Sequence, residues 1–129
     1  MGRKALPKPT EAELALLHVL WGRGPSTVRE IWAQVNRKQR AGYTTVLKLL
    51  QIMFEKGLVR RDDRARSHVY AATLSEEQTQ QQVVAHVLDR VFAGSASKLV
   101  LRALSAKKAS PEELAAIRKL LDEMEGGRK

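Results

Sequence analysis

The chain has 129 residues, a formal net charge of +9 and no cysteine. Its length suits about one domain, or a small domain with an appendage, and without cysteine it can form neither disulfides nor thiolate metal sites. No apolar segment follows the basic N-terminus and no stretch approaches the roughly 18 apolar residues of a membrane span, so we expect a cytoplasmic protein.

Two capping boxes predict the first two helices. In each box a threonine precedes a glutamate by three residues, so that the two side chains satisfy each other's backbone N–H groups. The pairs are Thr10 with Glu13 and Thr27 with Glu30. Helix one breaks at residues 22–25, Gly-Arg-Gly-Pro, and helix two follows that break. Apolar residues then recur at helical spacing in both segments.

A third helix is predicted to begin near Tyr43 and to end at Gly57, a residue that favours the left-handed conformation of a helix end. It carries two stripes at helical spacing. The apolar stripe, which must be buried, consists of Val46, Leu49, Leu50 and Met53. The polar stripe, which we expect to face outward, consists of Thr44, Lys48, Gln51 and Glu55. This polar stripe could read DNA.

Two β-compatible segments follow, residues 58–61 and 68–72, separated by a polar loop at residues 62–67. The loop has no glycine, so we expect it to be longer than a two-residue turn. The two segments predict a hairpin, or wing, that is rich in arginine. Residues 1–74 hold 14 Lys and Arg against 6 Asp and Glu, whereas residues 75–129 hold 9 against 8. The basic charge thus belongs to the half with the wing, as expected for a half that binds a polyanion.

The second half is helical throughout. Ser75 with Gln78 predicts the start of a fourth helix, and Ser110 with Pro111 and Glu113 predicts the start of a sixth. Such a short segment buries too little surface to be stable alone. We therefore predict a dimerisation module, although these helices folding back onto the first half is an open alternative. The predicted interface residues are apolar: Val84, Val87, Leu88, Val91, Leu99, Val100, Leu104, Leu120 and Leu121.

These elements predict a mainly α fold with a small β-wing. We expect residues 1–74 to form a winged helix-turn-helix DNA-binding domain and residues 75–129 to form a helical dimerisation domain.

The chain resembles the penicillinase-repressor family of the BlaI/MecI type from about Leu6 to Met124. The resemblance rests on six motifs: Leu20-Trp21, Tyr43-Thr44-Thr45-Val46, Glu55-Lys56-Gly57-Leu58-Val59-Arg60-Arg61, Val91-Phe92-Ala93-Gly94, Ser97-Lys98-Leu99-Val100-Leu101 and Ser110-Pro111-Glu112-Glu113-Leu114. It implies a homodimeric winged-helix repressor that binds an inverted repeat in promoter DNA, often ahead of resistance or stress genes.

The chain departs from the family in two respects. Penicillinase-type members are inactivated when a membrane-bound sensor metallopeptidase cuts an Asn-Phe pair in helix five, and Arg102 and Ala103 stand at the matching positions here. This difference counts against cleavage at that bond and against β-lactam induction, and the metallopeptidase is retained as a candidate partner. Copper-responsive relatives carry a cysteine-rich C-terminal motif, and the lack of cysteine excludes copper sensing by that route.

The first turns of helix three supply the candidate base-reading residues Tyr43, Thr44, Thr45 and Lys48. Threonine can hydrogen-bond a base or contact a thymine methyl, and lysine can donate to guanine or to a phosphate. Two alternatives are open: Thr45 could cap the helix or be buried, and Tyr43 could either contact a phosphate or pack beneath the helix.

The wing supplies the candidate phosphate or minor-groove contacts Arg64 and Arg66, with Arg60, Arg61 and His68 beside them. Asp62 and Asp63 reduce the positive charge there. Because side chains alternate along a strand, Arg60 and Arg61 should point to opposite faces, and at most one of them should face DNA.

Neither catalysis nor metal binding is predicted. The chain lacks the nucleophile, phosphate-loop and metalloprotease motifs that would indicate an enzyme. Its three histidines lie in separate predicted elements, and only His86 with Asp89 has the spacing of two ligands on one helix face. We therefore expect no cofactor. The competing function is that of a non-enzymatic adaptor whose helical half binds a partner protein.

Overall fold

The computed structural model describes residues 8–126. Residues 1–7, where we expected no signal peptide, lie outside the described residues. The chain divides into two compact units between Val84 and Ala85. That division falls inside a helix, and the predicted domain boundary after Leu74 stays a prediction. None of the described helices is long and apolar enough to cross a membrane.

The helices and strands follow one another in an order that matches the predicted one, with one additional short strand. They are α1 (Glu11–Arg23), β1 (Ser26–Thr27), α2 (Val28–Lys38), α3 (Tyr43–Lys56), β2 (Val59–Asp62), β3 (Val69–Ala72), α4 (Glu76–Arg90), α5 (Ala96–Ala106) and α6 (Pro111–Gly126). The predicted fold class, mainly α with a small β-wing, is confirmed.

Both predicted capping boxes are present. At the start of α1 the Thr10 hydroxyl accepts a hydrogen bond from the Glu13 N–H at 3.2 Å, and the Glu13 carboxylate accepts one from the Thr10 N–H at 2.9 Å. Thr27 and Glu30 make the same two bonds at the start of α2, again at 3.2 and 2.9 Å. These bonds satisfy N–H groups that have no partner inside the helix.

The end of α3 has the predicted geometry. Gly57 adopts φ +85°, and the Leu58 N–H donates to the Met53 carbonyl at 2.8 Å. Only a glycine adopts this left-handed conformation without steric cost. Leu58 is buried against the last turn, as the sequence indicated. This sharp stop directs the chain straight into β2.

Within the described residues, three short antiparallel strands form one sheet in the order β1-β3-β2. Tyr70 on the central strand pairs with Ser26 on β1 and with Arg61 on β2, and its ring is buried. The sequence did not predict β1, and it placed β2 one residue too early. The wing loop spans residues 63–68.

The core of the first unit lies between α1, α2, α3 and the sheet. Its buried apolar residues are Leu16, Leu17, Leu20, Val28, Ile31, Val46, Leu50, Met53, Leu58, Val59 and Tyr70. The predicted apolar stripe of α3 is therefore confirmed, with Leu49 partly buried at its edge.

One ion pair reaches this core. The Glu13 side chain is 2% exposed, and Lys56 at the end of α3 donates to its carboxylate at 2.8 Å. Burial disfavours the charged carboxylate, but the hydrogen bonds from Lys56 and from the Thr10 backbone outweigh this effect and lower the pKa of Glu13. The pair joins the first turn of α1 to the last turn of α3.

In the second unit, α4 ends at Arg90. The carbonyls of Val87 and Leu88 accept hydrogen bonds from Val91 and Gly94, while Ala93 and Gly94 have positive φ angles of 49° and 83°. Ser110 and Glu113 make the predicted capping box of α6.

We expect Glu13→Gln to lower the free energy of unfolding by roughly 1 to 3 kcal/mol at pH 7, the usual range for a hydrogen bond to a charged group. Glutamine can still cap the helix through its amide oxygen, so the change isolates the charge paired with Lys56. Urea titration of both proteins measures the difference. Glu11→Gln is the matched control, because Glu11 lies in the same turn but is exposed. Equal losses from the two variants would contradict a stabilising role for the pair.

The same pair should make stability depend on pH in the acid range. Because the pKa of Glu13 is lowered in the folded state, its contribution is fully present above the unfolded pKa, near 4.5, and is lost as the pH falls through the folded pKa. The difference in Tm between wild type and Glu13→Gln should therefore shrink on acidification from pH 6 to pH 3. A difference that stays constant over that range would contradict this assignment.

Candidate nucleic-acid interface

The outward face of α3 is polar, as predicted. Burial of Val46, Leu50 and Met53 fixes the rotation of the helix about its own axis. The opposite stripe is therefore exposed along its length: Thr44, Lys48, Gln51 and Glu55. Lys48 has no carboxylate partner within the described residues. An amino group and hydroxyl groups of this kind can donate to base edges or phosphates.

The N-terminus of α3 leaves both threonines available. Gly42 occupies the N-cap position, and no side chain accepts a capping hydrogen bond there. Thr44 and Thr45 are both exposed. The alternative that Thr45 caps the helix or is buried is therefore wrong.

Of the two roles that the sequence left open for Tyr43, packing is observed, and the phosphate contact stays a prediction. Its ring packs edge-on against Trp32, with 6.1 Å between the centroids, and the Arg29 guanidinium lies 5.8 Å from its centroid. Trp32 is itself anchored by a 2.7 Å hydrogen bond from its indole N–H to the Ala41 carbonyl. Tyr43 nevertheless stays 41% exposed, so a fixed aromatic side chain stands at the start of the exposed face.

Arg61, rather than Arg60, lies beside α3. The Arg61 guanidinium stacks 4.2 Å from the centroid of the Phe54 ring, and its Nε donates to Asp63 at 2.8 Å. The Tyr70 side chain and Asp63 both stabilise the cation and raise the pKa of Arg61. Arg60 is exposed and, by strand alternation, belongs to the other face of β2. The predicted DNA contact of Arg60 stays a prediction.

The wing arginines differ in their partners. Arg64 forms a two-pronged pair with Asp62, through Nε to Oδ1 at 3.0 Å and Nη2 to Oδ2 at 2.7 Å. The hydrogen bonds from the Arg64 side chain and backbone lower the pKa of Asp62 to about 2, and the pair raises the pKa of Arg64. Arg66 is exposed and has no carboxylate partner among the described residues. The expected dilution of the wing charge by aspartates thus takes the form of specific ion pairs.

A cleft of about 470 Å³ separates the face of α3 from the wing. Its lining includes Tyr43, Gln51, Arg61 and Arg66, together with Arg29 from α2. Three guanidinium groups around one cleft provide a concentrated positive surface that suits phosphate oxygens.

The helices of the second unit expose a second surface, which is apolar. No side chain of residues 85–126 is buried. Of the predicted interface residues, Val84, Val91, Val100, Leu104, Leu120 and Leu121 are exposed, and Val87, Leu88 and Leu99 are partly buried. Leu101 and Met124 add to the exposed set at 63% and 59%. A solvated protein rarely leaves so many large apolar side chains uncovered.

Arg102 and Ala103, which match the cleavage pair of the penicillinase-type relatives, lie exposed in the middle of α5. Within residues 8–126, no cluster of three or more histidine and acidic side chains is placed to hold a metal ion.

The fold and the exposed face of α3 define a winged-helix transcription regulator, a non-enzymatic class of protein. The family described as "Penicillinase repressor" matches residues 9–123. The chain belongs to this family and is a transcriptional repressor of the BlaI type.

Individual relatives agree with this assignment. The chain is 30% identical to the "Transcriptional regulator BlaI" of Mycobacterium tuberculosis, over 91% of this chain and 85% of that protein. It is 22% identical to the "Penicillinase repressor" of Bacillus licheniformis, over 98% of both chains. The solution structure of the DNA-binding domain of the repressor BlaI superposes with a TM-score of 0.51 at 22% identity, covering 57% of this chain and 90% of that one. This last likeness supports the fold.

Sequence reasoning missed Arg29 as a candidate site residue, and it named Arg61 beside the wing without placing it next to α3. Side-chain alternation along β2 predicted that Arg60 and Arg61 point to opposite faces of the sheet, but it could not show which of these faces lies beside α3. A basic residue just after the Thr27 cap was the only sign of Arg29, because its contact with Tyr43 depends on how α2 and α3 pack. Leu101 and Met124 could have been added to the apolar surface from their size alone.

Proposed function

We propose that the protein is a homodimeric repressor that binds an inverted-repeat operator in promoter DNA, in the cytoplasm. The observation that carries this proposal is the exposed polar face of α3 standing beside an arginine-bearing wing in a strongly basic unit. DNA binding by the relative whose solved domain shares this fold is a further support.

In this proposal the N-terminal half of α3 enters the major groove. Thr44, Thr45 and Lys48 are exposed there and are free of capping or ion-pair partners within the described residues. Tyr43, the first residue of the same helix, is held against α2 by its contact with Trp32. Threonine and lysine at these positions can read base edges, while a helix held by a buried stripe presents them in a fixed orientation.

The wing and the cleft supply the phosphate contacts. Arg66 has no carboxylate partner among the described residues, and Arg61 is held beside α3 by Phe54 and Asp63. In this proposal Arg61 takes the place of the predicted contact Arg60, and Arg29 joins Arg64 and Arg66, because Arg29 and Arg61 both line the cleft that faces α3. Contacts of this kind set the register of the protein on the duplex without reading sequence.

Dimerisation is proposed from the second unit. Its described residues include no buried side chain and expose a set of large apolar residues. A second copy would cover the same residues on both chains, since twofold interfaces use one surface twice. The two copies of α3 would then contact half-sites about 10 base pairs apart, or a multiple of that spacing.

A membrane-bound sensor metallopeptidase stays a predicted partner. The bond that matches its cutting site in the family, Arg102-Ala103, lies within the helical backbone of α5. The proposed repressor does not depend on this partner.

We expect Thr44→Ala and Lys48→Ala to weaken operator binding by about 1 to 3 kcal/mol each if the two side chains read bases. Fluorescence anisotropy on operator and on random duplex measures both affinities. Lys119→Ala, an exposed cation on α6, serves as the control and should change neither. Equal losses on both duplexes would show that Thr44 and Lys48 contact only the backbone.

For Arg66→Ala, binding to both duplexes should weaken by a similar factor. The slope of log affinity against log salt should become shallower by about 0.9 for each phosphate contact that is lost. A salt series on wild type and variant measures this slope. The slope also separates DNA binding from the adaptor alternative. Binding to DNA must weaken with salt as counterions are released, whereas binding to a protein partner need not. An unchanged slope in the variant would remove Arg66 from the interface.

The dimer proposal predicts that Leu120→Glu shifts the protein towards monomer and weakens operator binding, because burying an unpaired carboxylate in an apolar interface is strongly unfavourable. Sedimentation velocity at micromolar concentration measures the assembly. Ala115→Glu adds the same charge to an exposed position on the other side of α6, so this control should stay dimeric. A wild-type chain that sediments as a monomer would refute the dimer.

A further inference from the structure

The pairing of Arg64 with Asp62 bears on how strongly the wing can bind DNA. Arginine binds phosphate best through two parallel N–H groups. In Arg64 one of the two edges that offer such a pair, Nε and Nη2, is occupied by the two carboxylate oxygens of Asp62 at 3.0 and 2.7 Å. The Arg64 side chain is 91% exposed, so solvent or a phosphate can reach the pair.

The neighbouring aspartate is arranged differently. Asp63 contacts Arg61 through one nitrogen, Nε, at 2.8 Å, and lies 3.7 Å from His68. Arg61 is also held by the Phe54 ring. Asp63 therefore orients a guanidinium that remains in the cleft, whereas Asp62 occupies one of the two edges with which Arg64 could bind a phosphate.

We propose that Asp62 is an intramolecular competitor of DNA phosphate for Arg64 and so limits the sequence-independent affinity of the wing. This inference rests on the proposed function, since it requires the wing to approach DNA. Its consequence is that Arg64 can use its Nε–Nη2 edge for a phosphate only after it releases Asp62, and while the pair persists the carboxylate offsets the charge of the guanidinium close to the DNA backbone. The share of the binding energy that comes from α3, and thus from sequence, is larger for that reason.

Asp62 also has a structural role, which the test must separate from its charge. Its Oδ1 accepts a hydrogen bond from the Arg64 N–H at 3.0 Å and so shapes the start of the wing loop. Asparagine can make the same backbone bond but cannot form an ion pair. Asp62→Asn therefore removes the competitor and keeps the turn, and Asp62→Ser provides a second uncharged variant with an oxygen acceptor.

The experiment measures binding of the full-length protein to a random duplex over a salt series, for four forms: wild type, Asp62→Asn, Arg64→Ala and the double variant. We expect Asp62→Asn to raise the affinity roughly three- to tenfold at low salt and to steepen the salt slope by about 0.9 for each wing that gains a phosphate contact. In the Arg64→Ala background the same substitution should raise the affinity much less, because no guanidinium is released. On operator DNA the gain should match that on random DNA.

Two results would overturn the inference while leaving the proposed function intact. An equal gain in both backgrounds would show that Asp62 acts only as a negative charge near DNA. No gain from either Asp62→Asn or Asp62→Ser, with wild-type binding intact, would show that Arg64 does not approach the duplex. Failure of the wild-type protein to bind any duplex at low salt would instead overturn the proposed function itself, and this inference with it.

Discussion

Burial of one stripe of α3 is the constraint on which the rest of the first unit depends. Val46, Leu50 and Met53 are almost completely excluded from solvent, and their burial contributes on the order of 2 kcal/mol for each side chain. A helix packed in this way cannot rotate about its axis without exposing apolar surface. The core therefore keeps the polar stripe with Lys48 facing outward, and no further contact is needed to orient it.

The ends of α3 are fixed as firmly as its middle. At the C-terminal end, Gly57 stops the helix and Lys56 reaches the buried carboxylate of Glu13. At the N-terminal end, Tyr43 packs against Trp32, whose indole is bonded to the loop before α3. Because the wing begins directly after Gly57, the same end point that holds α3 also places Arg61 beside it. The end of α3 at Gly57 thus fixes the position of both the helix face and the wing.

Local signals in the sequence were sufficient for much of this architecture. Capping boxes such as Thr10 with Glu13 depend on residues three apart, and the stop at Gly57 depends on one residue, so both could be predicted without knowing the tertiary structure. Strand β1 could not, because two residues carry no periodicity and Ser26 is a strand only through its pairing with Tyr70.

The candidate site was predicted less completely for a related reason. Lys48 and the threonines lie on a stripe that the sequence itself defines. The contact of Arg29 with Tyr43 and the stacking of Arg61 on Phe54 join different elements, so they follow from packing. The ion pairs of the wing are an intermediate case: the aspartates were visible as a dilution of charge, but which arginine each one holds depends on the course of the loop.

Charge and apolar surface act together in the proposed assembly. Each wing has arginines that are partly neutralised by aspartates of the same chain, and we infer that this pairing limits the phosphate affinity of one protomer. The second unit exposes apolar residues that need a partner. Once two copies join, the α3 helix of the second copy acts at a high effective concentration, and modest affinities combine into a strong one.

Binding and dimerisation are then thermodynamically linked, so operator DNA must strengthen the dimer by the same factor by which dimerisation strengthens operator binding. Under the proposed function the chain is suited to this linkage, because the wing ion pairs limit what one protomer binds and the second unit covers its apolar residues only in the dimer.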